Sequence, residues 1–382
     1  MRRMLFALLT FAFPALAGSL FHWEPGTPAG KSRLSSVAYG AGAYVAVGPG
    51  YNVQYSTDAA TWIDRSAGVA VQNSKVVYID GVFMTMGGFG RSAYSLDGKN
   101  WTTLDYNSLL VLRDVALGDS GWVMVGAEDT AYHLGGIFTS KDGKVWTAIN
   151  KAMTEIPWSV AFGNGVYAWV GNRGHIQVSR NGVDWTAHNF LARTQALRSL
   201  TFAAGLFVAV GDSGTILTSS DGMDWTQRES ASDDNLRSVS YDGSRFLTVG
   251  SGTKLHYSMD GISWATEDIP QRFNGIGFGA GRHILVGDSG MVAVAQDSGP
   301  SASLQGTAPR AAVSEGAAAG RIRLPESFHT ASTVILVRDL QGALLARLEP
   351  GSGLPPGLVT GTCILEFQDG PRRSVALFTM LP

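Results

Sequence analysis

Arg113, Arg198 and Arg237 each follow a leucine and open a run of apolar alternation, in "LRDVAL", "LRSLTF" and "LRSVSY". A guanidinium offers a rigid fork of donors that matches a carboxylate or sulfate two bonds at a time and stays charged at every physiological pH. Three of them at one place can clamp a carboxylate, a sulfate or an acidic side chain. The same equivalence fits a plainer reading, which the sequence alone favours: Arg is the residue of a repeated framework position, its head reaching water from a strand end. Trp158 and Asn274 hold the corresponding position in two further segments, and Arg173 and His175 stand in the nearby loop "GNRGH". A longer loop, "GAEDTAYHLGG", brings Glu128, Asp129, Tyr132 and His133 together as a second candidate binding cluster.

Other chemistry finds little support. "GDSG" at Gly211 and again at Gly287 imitates the nucleophile motif of trypsin-like proteases, but both copies fall at a turn position of the repeat and read as framework. The seven histidines show no H-E-x-x-H or comparable spacing, so neither a metal nor a cofactor is expected. Charged residues are only 16% of the chain, the net charge is −2 and no block of like charges appears, which points away from nucleic acid.

The candidates must be positioned by repetition. "YSLDGKNWTTL" from Tyr94 returns as "TSKDGKVWTAI" from Thr139, "VSRNGVDWTAH" from Val178, "TSSDGMDWTQR" from Thr218 and "YSMDGISWATE" from Tyr257, with a worn copy, "YSTDAATWIDR", from Tyr55. Their tryptophans, Trp62, Trp101, Trp146, Trp185, Trp225 and Trp264, are spaced 39, 45, 39, 40 and 39 residues apart. That period fits a four-stranded propeller blade of roughly 40 residues. Asp-Gly suits a hairpin turn because Gly tolerates positive φ and the Ser and Asp side chains can cap backbone N–H groups, so these aspartates read as structural.

Seven segments begin the pattern, but the last stops after three strands. Trp23 stands 39 residues before Trp62 with no strands of its own ahead of it. The expectation is an all-β, seven-bladed β-propeller over residues 18–299, closed by an N-terminal strand that completes the last blade and hides its edge. With the first strand of each blade innermost, Ser35, Ser74, Arg113, Trp158, Arg198, Arg237 and Asn274 form a ring at one channel mouth. The loops between second and third strands share that face.

The start, "MRRMLFALLTFAFPALAGS", reads as a signal peptide over residues 1–17, and the lone Cys363 allows no internal disulfide. Residues 300–320 form a Gly/Ala/Ser-rich linker and residues 321–382 a small C-terminal β-sandwich. The repeat Ser-x-Asp-Gly-x-x-Trp resembles the Asp-box, or bacterial neuraminidase repeat, less one residue, and is similar to repeats of photosystem II assembly-factor propellers. The tail "VRDLQGALLARL…LPPG…CILEFQDG" resembles type 9 secretion sorting domains at Asp339, Gly342, Leu354, Pro355, Gly357, Asp369 and Gly370, departing where "LVTGTC" intervenes.

The signal peptide and these resemblances together imply an exported, Gram-negative-type secreted or surface protein, with the periplasm as alternative, that meets secretion machinery through its tail. The function expected is non-catalytic binding of an extracellular protein or glycan through the loop face. A sialidase-like glycoside hydrolase and a periplasmic assembly factor are the alternatives.

Overall fold

A computed structural model describes residues 20–66, 69, 71–106, 110–128, 135–153, 155–188 and 195–297, and four strands nearer the C-terminus. The chain divides into two compact units, residues 1–301 and 302–382. The first is a seven-bladed propeller of four-stranded antiparallel sheets. Among the described residues no helix is long and apolar enough to cross a membrane. In the second unit, Val334–Arg338, Leu344–Leu348, Gly361–Asp369 and Arg372–Met380 form one antiparallel sheet. The linker 300–320 and the faces of a sandwich lie outside the described residues.

Blade one runs Ser36–Gly40, Ala43–Gly48, Asn52–Ser56 and Ile63–Asp64 from the axis outward, strands A to D. The other A strands are Asn73–Ile79, Leu110–Gly118, Pro157–Gly163, Leu197–Ala203, Leu236–Tyr241 and Gly275–Gly279. Together the seven A strands line a central channel of about 530 Å³. Seven apolar clusters fill the seven interfaces between neighbouring blades. Each blade therefore depends on both neighbours.

Blade seven takes its D strand, Phe21–Pro25, from the N-terminus. Trp23 pairs with Ala295 there, and Ala295 pairs with His283; in blade three the equivalent Trp122 pairs with Ser140, which pairs with Trp146. The 39-residue interval is thus a true sheet register. The segment continues into blade one, where Thr27 bridges Thr61 and accepts the Trp62 N–H at 3.0 Å.

One inter-blade joint recurs. A Cβ added to Gly40, Gly118, Gly163 or Gly279 would fall 2.1–2.2 Å from the aromatic ring of the next blade, Tyr78, Phe162, Phe202 or Tyr39. The glycine closing strand A is the seat of its neighbour's ring. Where blade two has Ile79 instead, blade three supplies Leu117 rather than an aromatic, and the two pack in one cluster. Blade six replaces the glycine with Asp242, and blade seven answers with His283, whose Nε2 lies 3.0 Å from the carboxylate.

The Ser-x-Asp-Gly-x-x-Trp segments differ from the expected hairpin. Strand C of blade two ends at Ser95 and strand D begins at Thr102, a longer connection than an Asp-Gly hairpin. Asp97 Oδ1 accepts the N–H groups of Lys99 and Asn100 at 2.8 and 2.9 Å, Ser95 Oγ accepts those of Asp97 and Gly98, and the Trp101 indole donates to Gly98 O. The indole-to-turn bond recurs at Trp62, Trp146, Trp185, Trp225 and Trp264. The two-residue hairpins join strands A and B instead, as at Ala41-Gly42 (φ 46° and 73°) and Asn164-Gly165 (φ 48° and 76°). Both φ values are positive, the signature of a type I′ turn.

Candidate functional site

The ring at the channel mouth is built by a repeated backbone irregularity. In blades two to six the A–B ladder skips one residue: Ser74, Arg113, Trp158, Arg198 and Arg237. In blades one and seven, Ser35 and Asn274 donate N–H bonds to Val47 and Val286, carbonyl partners already paired with the following residue. Such a β-bulge lets one side chain leave the alternation of the strand. All but Asn274 line a single pocket of about 140 Å³, which also takes in Ser36, Lys75, Ser199 and Ser238.

Trp158 occupies the cationic side of this mouth. The Arg113 guanidinium lies 3.7 Å from its ring centroid and that of Arg198 4.6 Å, one from each flanking blade. The Trp158 indole donates to Asn172 Oδ1 at 2.6 Å, which holds the ring against the blade-four loop. Arg198 is a bidentate partner of Asp212, both contacts at 2.9 Å. Arg237 donates to Asn274 Oδ1 at 2.7 Å, and the Asn274 amide in turn donates to Leu34 O and to Asp288 Oδ1. Arg33 and Arg272 flank the same Asp288 at 3.5 Å. Stacking holds Arg113 and Arg198, an ion pair holds Arg198 and a hydrogen bond to Asn274 holds Arg237, a different outcome from free heads reaching into water.

The electrostatics are one-sided. Partial burial first, then the field of Arg33 and those of Arg272 and Arg198, lower the Arg237 pKa, with Asp288 opposing. Asp288 is held below the usual carboxylate range, chiefly by the Asn274 hydrogen bond and then by Arg33, Arg272 and Arg237 against a smaller cost of burial.

Beneath the arginines lies a pair that the sequence reading passed over. Four blades carry Ser at the residue after the bulge or its equivalent, and the hydroxyls of Ser36, Ser159, Ser199 and Ser238 accept the N–H of Val76, Leu200, Val239 and Ile276 in the next blade. Blades two and three carry Lys75 and Asp114 there instead. Lys75 Nζ reaches Asp114 Oδ2 at 2.6 Å, and the same oxygen accepts from Ser159 Oγ and from the Val160 N–H. A lysine cannot accept the Val115 N–H, and Asp114 Oδ1 takes it at 2.9 Å. The signal was present in the sequence as two adjacent departures from one repeated serine.

Two of the remaining candidates lie on the blade-four loop. His175 Nε2 lies 3.2 Å from Glu155, and Arg173 is exposed at the tip of its loop at φ 54°. Glu128 ends strand B of blade three, opposite Leu110, while Asp129, Tyr132 and His133 lie outside the described residues. Among the described residues no group of three His, Cys, Asp or Glu side chains is placed to hold a metal.

No family model and no curated protein matches this sequence. Solved propellers match its fold. A structure described as YCF48 bound to D1 peptide is 18% identical, with TM-score 0.58, covering 75% of this chain and 97% of its own. YCF48 from Cyanidioschyzon merolae is 17% identical, TM-score 0.55, covering 72% and 98%. Virginiamycin B lyase from Staphylococcus aureus is 8% identical, TM-score 0.62, covering 72% and 99%. At these identities the likeness is one of fold.

Proposed function

We propose that this chain is a non-catalytic binding scaffold whose loop face receives a protein partner and lodges an acidic group of that partner in the arginine–tryptophan mouth. One observation carries the reading. Four cations (Lys75, Arg113, Arg198, Arg237) line the one pocket at the mouth, with three carboxylates (Asp114, Asp212, Asp288) in contact with the cations there, on a chain whose net charge is −2. Like charges held together repel unless an anion joins them, so a bound carboxylate is the natural complement. Each of those three carboxylates is engaged by a cation and is not one of an opposed pair of the kind that glycoside hydrolysis uses. A YCF48 propeller of similar fold is described as bound to a peptide, which is consistent with a protein ligand.

Arrays of acidic peptides and of sialylated or sulfated glycans, probed with the mature chain and with an R113Q/R198Q/R237Q variant, test this. Acidic peptides should bind the wild type in a salt-sensitive manner and the variant at least tenfold more weakly. Unchanged binding by the variant would return the arginines to the framework, and turnover of a sialoside would defeat the non-catalytic reading. Export by the N-terminal segment and sorting by the tail belong to the same proposal. Fractionation of native cells checks them: a periplasmic protein that keeps its last 60 or so residues would count against sorting.

A further inference from the structure

Two aromatic side chains on the loop face are held at a backbone conformation their residue type resists. Tyr51, at φ 65°, and Phe89, at φ 60°, sit on the B–C loops of blades one and two and are 41% and 55% exposed. The corresponding loops of blades five and seven place Ser213 and Ser289 at φ 53° and 58°. Glycine or asparagine adopts this region readily, whereas a bulky residue there is an outlier, and a large exposed apolar ring gains nothing from solvent to offset it. Outliers of this kind gather where a side chain serves a contact.

Both loops are anchored to the mouth. The loop of Phe89 is tied to blade three by the Gly90 N–H on Leu110 O, three residues before Arg113, and Asn52, next to Tyr51, donates to Arg33 O at 3.2 Å. The exposed rings stand over blades one and two, which also carry Arg33 and Lys75, while Arg113, Arg198, Arg237 and Arg272 belong to blades three, five, six and seven.

We propose that Tyr51 and Phe89 form an apolar docking surface for side chains of the same partner segment whose acidic group enters the mouth, so that the ligand is an extended peptide carrying both an acidic and an apolar residue. The proposal rests on the reading of the mouth given above. Charge complementarity fixes one end of the occupant. The pairing of exposed aromatics with arginines is the composition of protein–protein contact sites, and the engaged state of Asp114, Asp212 and Asp288 leaves these carboxylates poorly placed to take sugar hydroxyls.

The experiment uses an array of Gly/Ser peptides bearing either a single Glu or a Glu with a Leu or Phe at varied spacing, probed with the mature wild type, Y51N/F89N and R113Q/R198Q/R237Q. Asparagine suits the left-handed region, so Y51N/F89N should melt at or above the wild-type temperature. The wild type should favour the acidic-apolar peptides by about tenfold over the Glu-only set. Y51N/F89N should lose that preference while still binding the Glu-only set, and the arginine variant should lose both. A wild type without the preference, or a Y51N/F89N variant that keeps it, overturns this inference and leaves the mouth intact. A wild type that binds no acidic peptide, or binds glycans alone, overturns the mouth reading and this one with it. A lowered melting temperature in Y51N/F89N would make the rings framework and overturn the inference.

Discussion

Asp242 shows how a single departure from a repeat is made tolerable. Its side chain is 1% exposed, and its carboxylate accepts from His283 Nε2 at 3.0 Å, from Arg245 Nε at 2.9 Å, and from the Ser244 hydroxyl and the N–H groups of Ser244 and Arg245. Burial alone would raise its pKa. The hydrogen bond from His283, those from Ser244 and the charge of Arg245 more than reverse that, and the net shift is well downward. A depressed carboxylate stabilises the fold above its unfolded pKa of about 3.9 and loses that contribution as pH falls toward the folded value. Asp242→Asn keeps the shape but leaves the Arg245 guanidinium without its counter-charge in the interior, a loss of about 3–5 kcal/mol. Melting curves of the two proteins should therefore lie far apart from pH 7 to pH 5 and converge below about pH 4. A gap of constant width down to pH 3 would show that this carboxylate does not govern the difference.

The strand-to-strand turns carry a different lesson. Ala41, Ala204 and Ala280 stand first in type I′ turns at φ 46°, 50° and 47°, a position that Asn164 and Asp80 fill in blades four and two. All three alanines are exposed. Replacing them with Asn should relieve left-handed strain by about 0.5–1 kcal/mol each and raise the melting temperature of the triple variant by several degrees. A lower melting temperature would mean that these methyl groups pack as part of the frame. Such turns hid from the sequence because "AG" carries a weak turn signal, whereas the conspicuous Asp-Gly proved to belong to a longer capped connection on the same face, between strands C and D. The bulges hid for a related reason: no residue type marks them, since Ser, Arg and Trp all occupy the skipped position. The ring at the mouth was legible because equivalent positions of a closed repeat must converge on the axis. The Lys75–Asp114 pair, the Arg198–Asp212 fork and the stacking on Trp158 needed the actual spacing between blades.

A closed ring with no disulfide within it stands or falls by how its ends are joined. Both ends meet in blade seven, where five residue pairs join Phe21–Pro25 to Ala293–Asp297. Glu267 of blade six accepts the N–H groups of Leu20 and Phe21 at 2.9 and 3.2 Å. The Phe21 ring, 2% exposed, fills the interface between blades six and seven, edge-on to His283 at 4.7 Å and beneath Arg245 at 5.0 Å. The N-terminal strand thus covers the buried charge cluster around Asp242. Removing residues 18–25 would uncover that cluster and leave strand C of blade seven with an open edge, available to pair with another chain. Phe21→Ala alone should cost about 3–5 kcal/mol, since it opens a cavity in a full interface. The deletion should lower the melting temperature further and add concentration-dependent association, because an unpaired edge recruits a second chain where a cavity does not. Scanning calorimetry with light scattering over a range of protein concentrations separates the two effects. A deletion variant that melts like the chain retaining residues 18–25, with no added concentration-dependent scattering, would show that the remaining six blades and three strands close the ring without this strand.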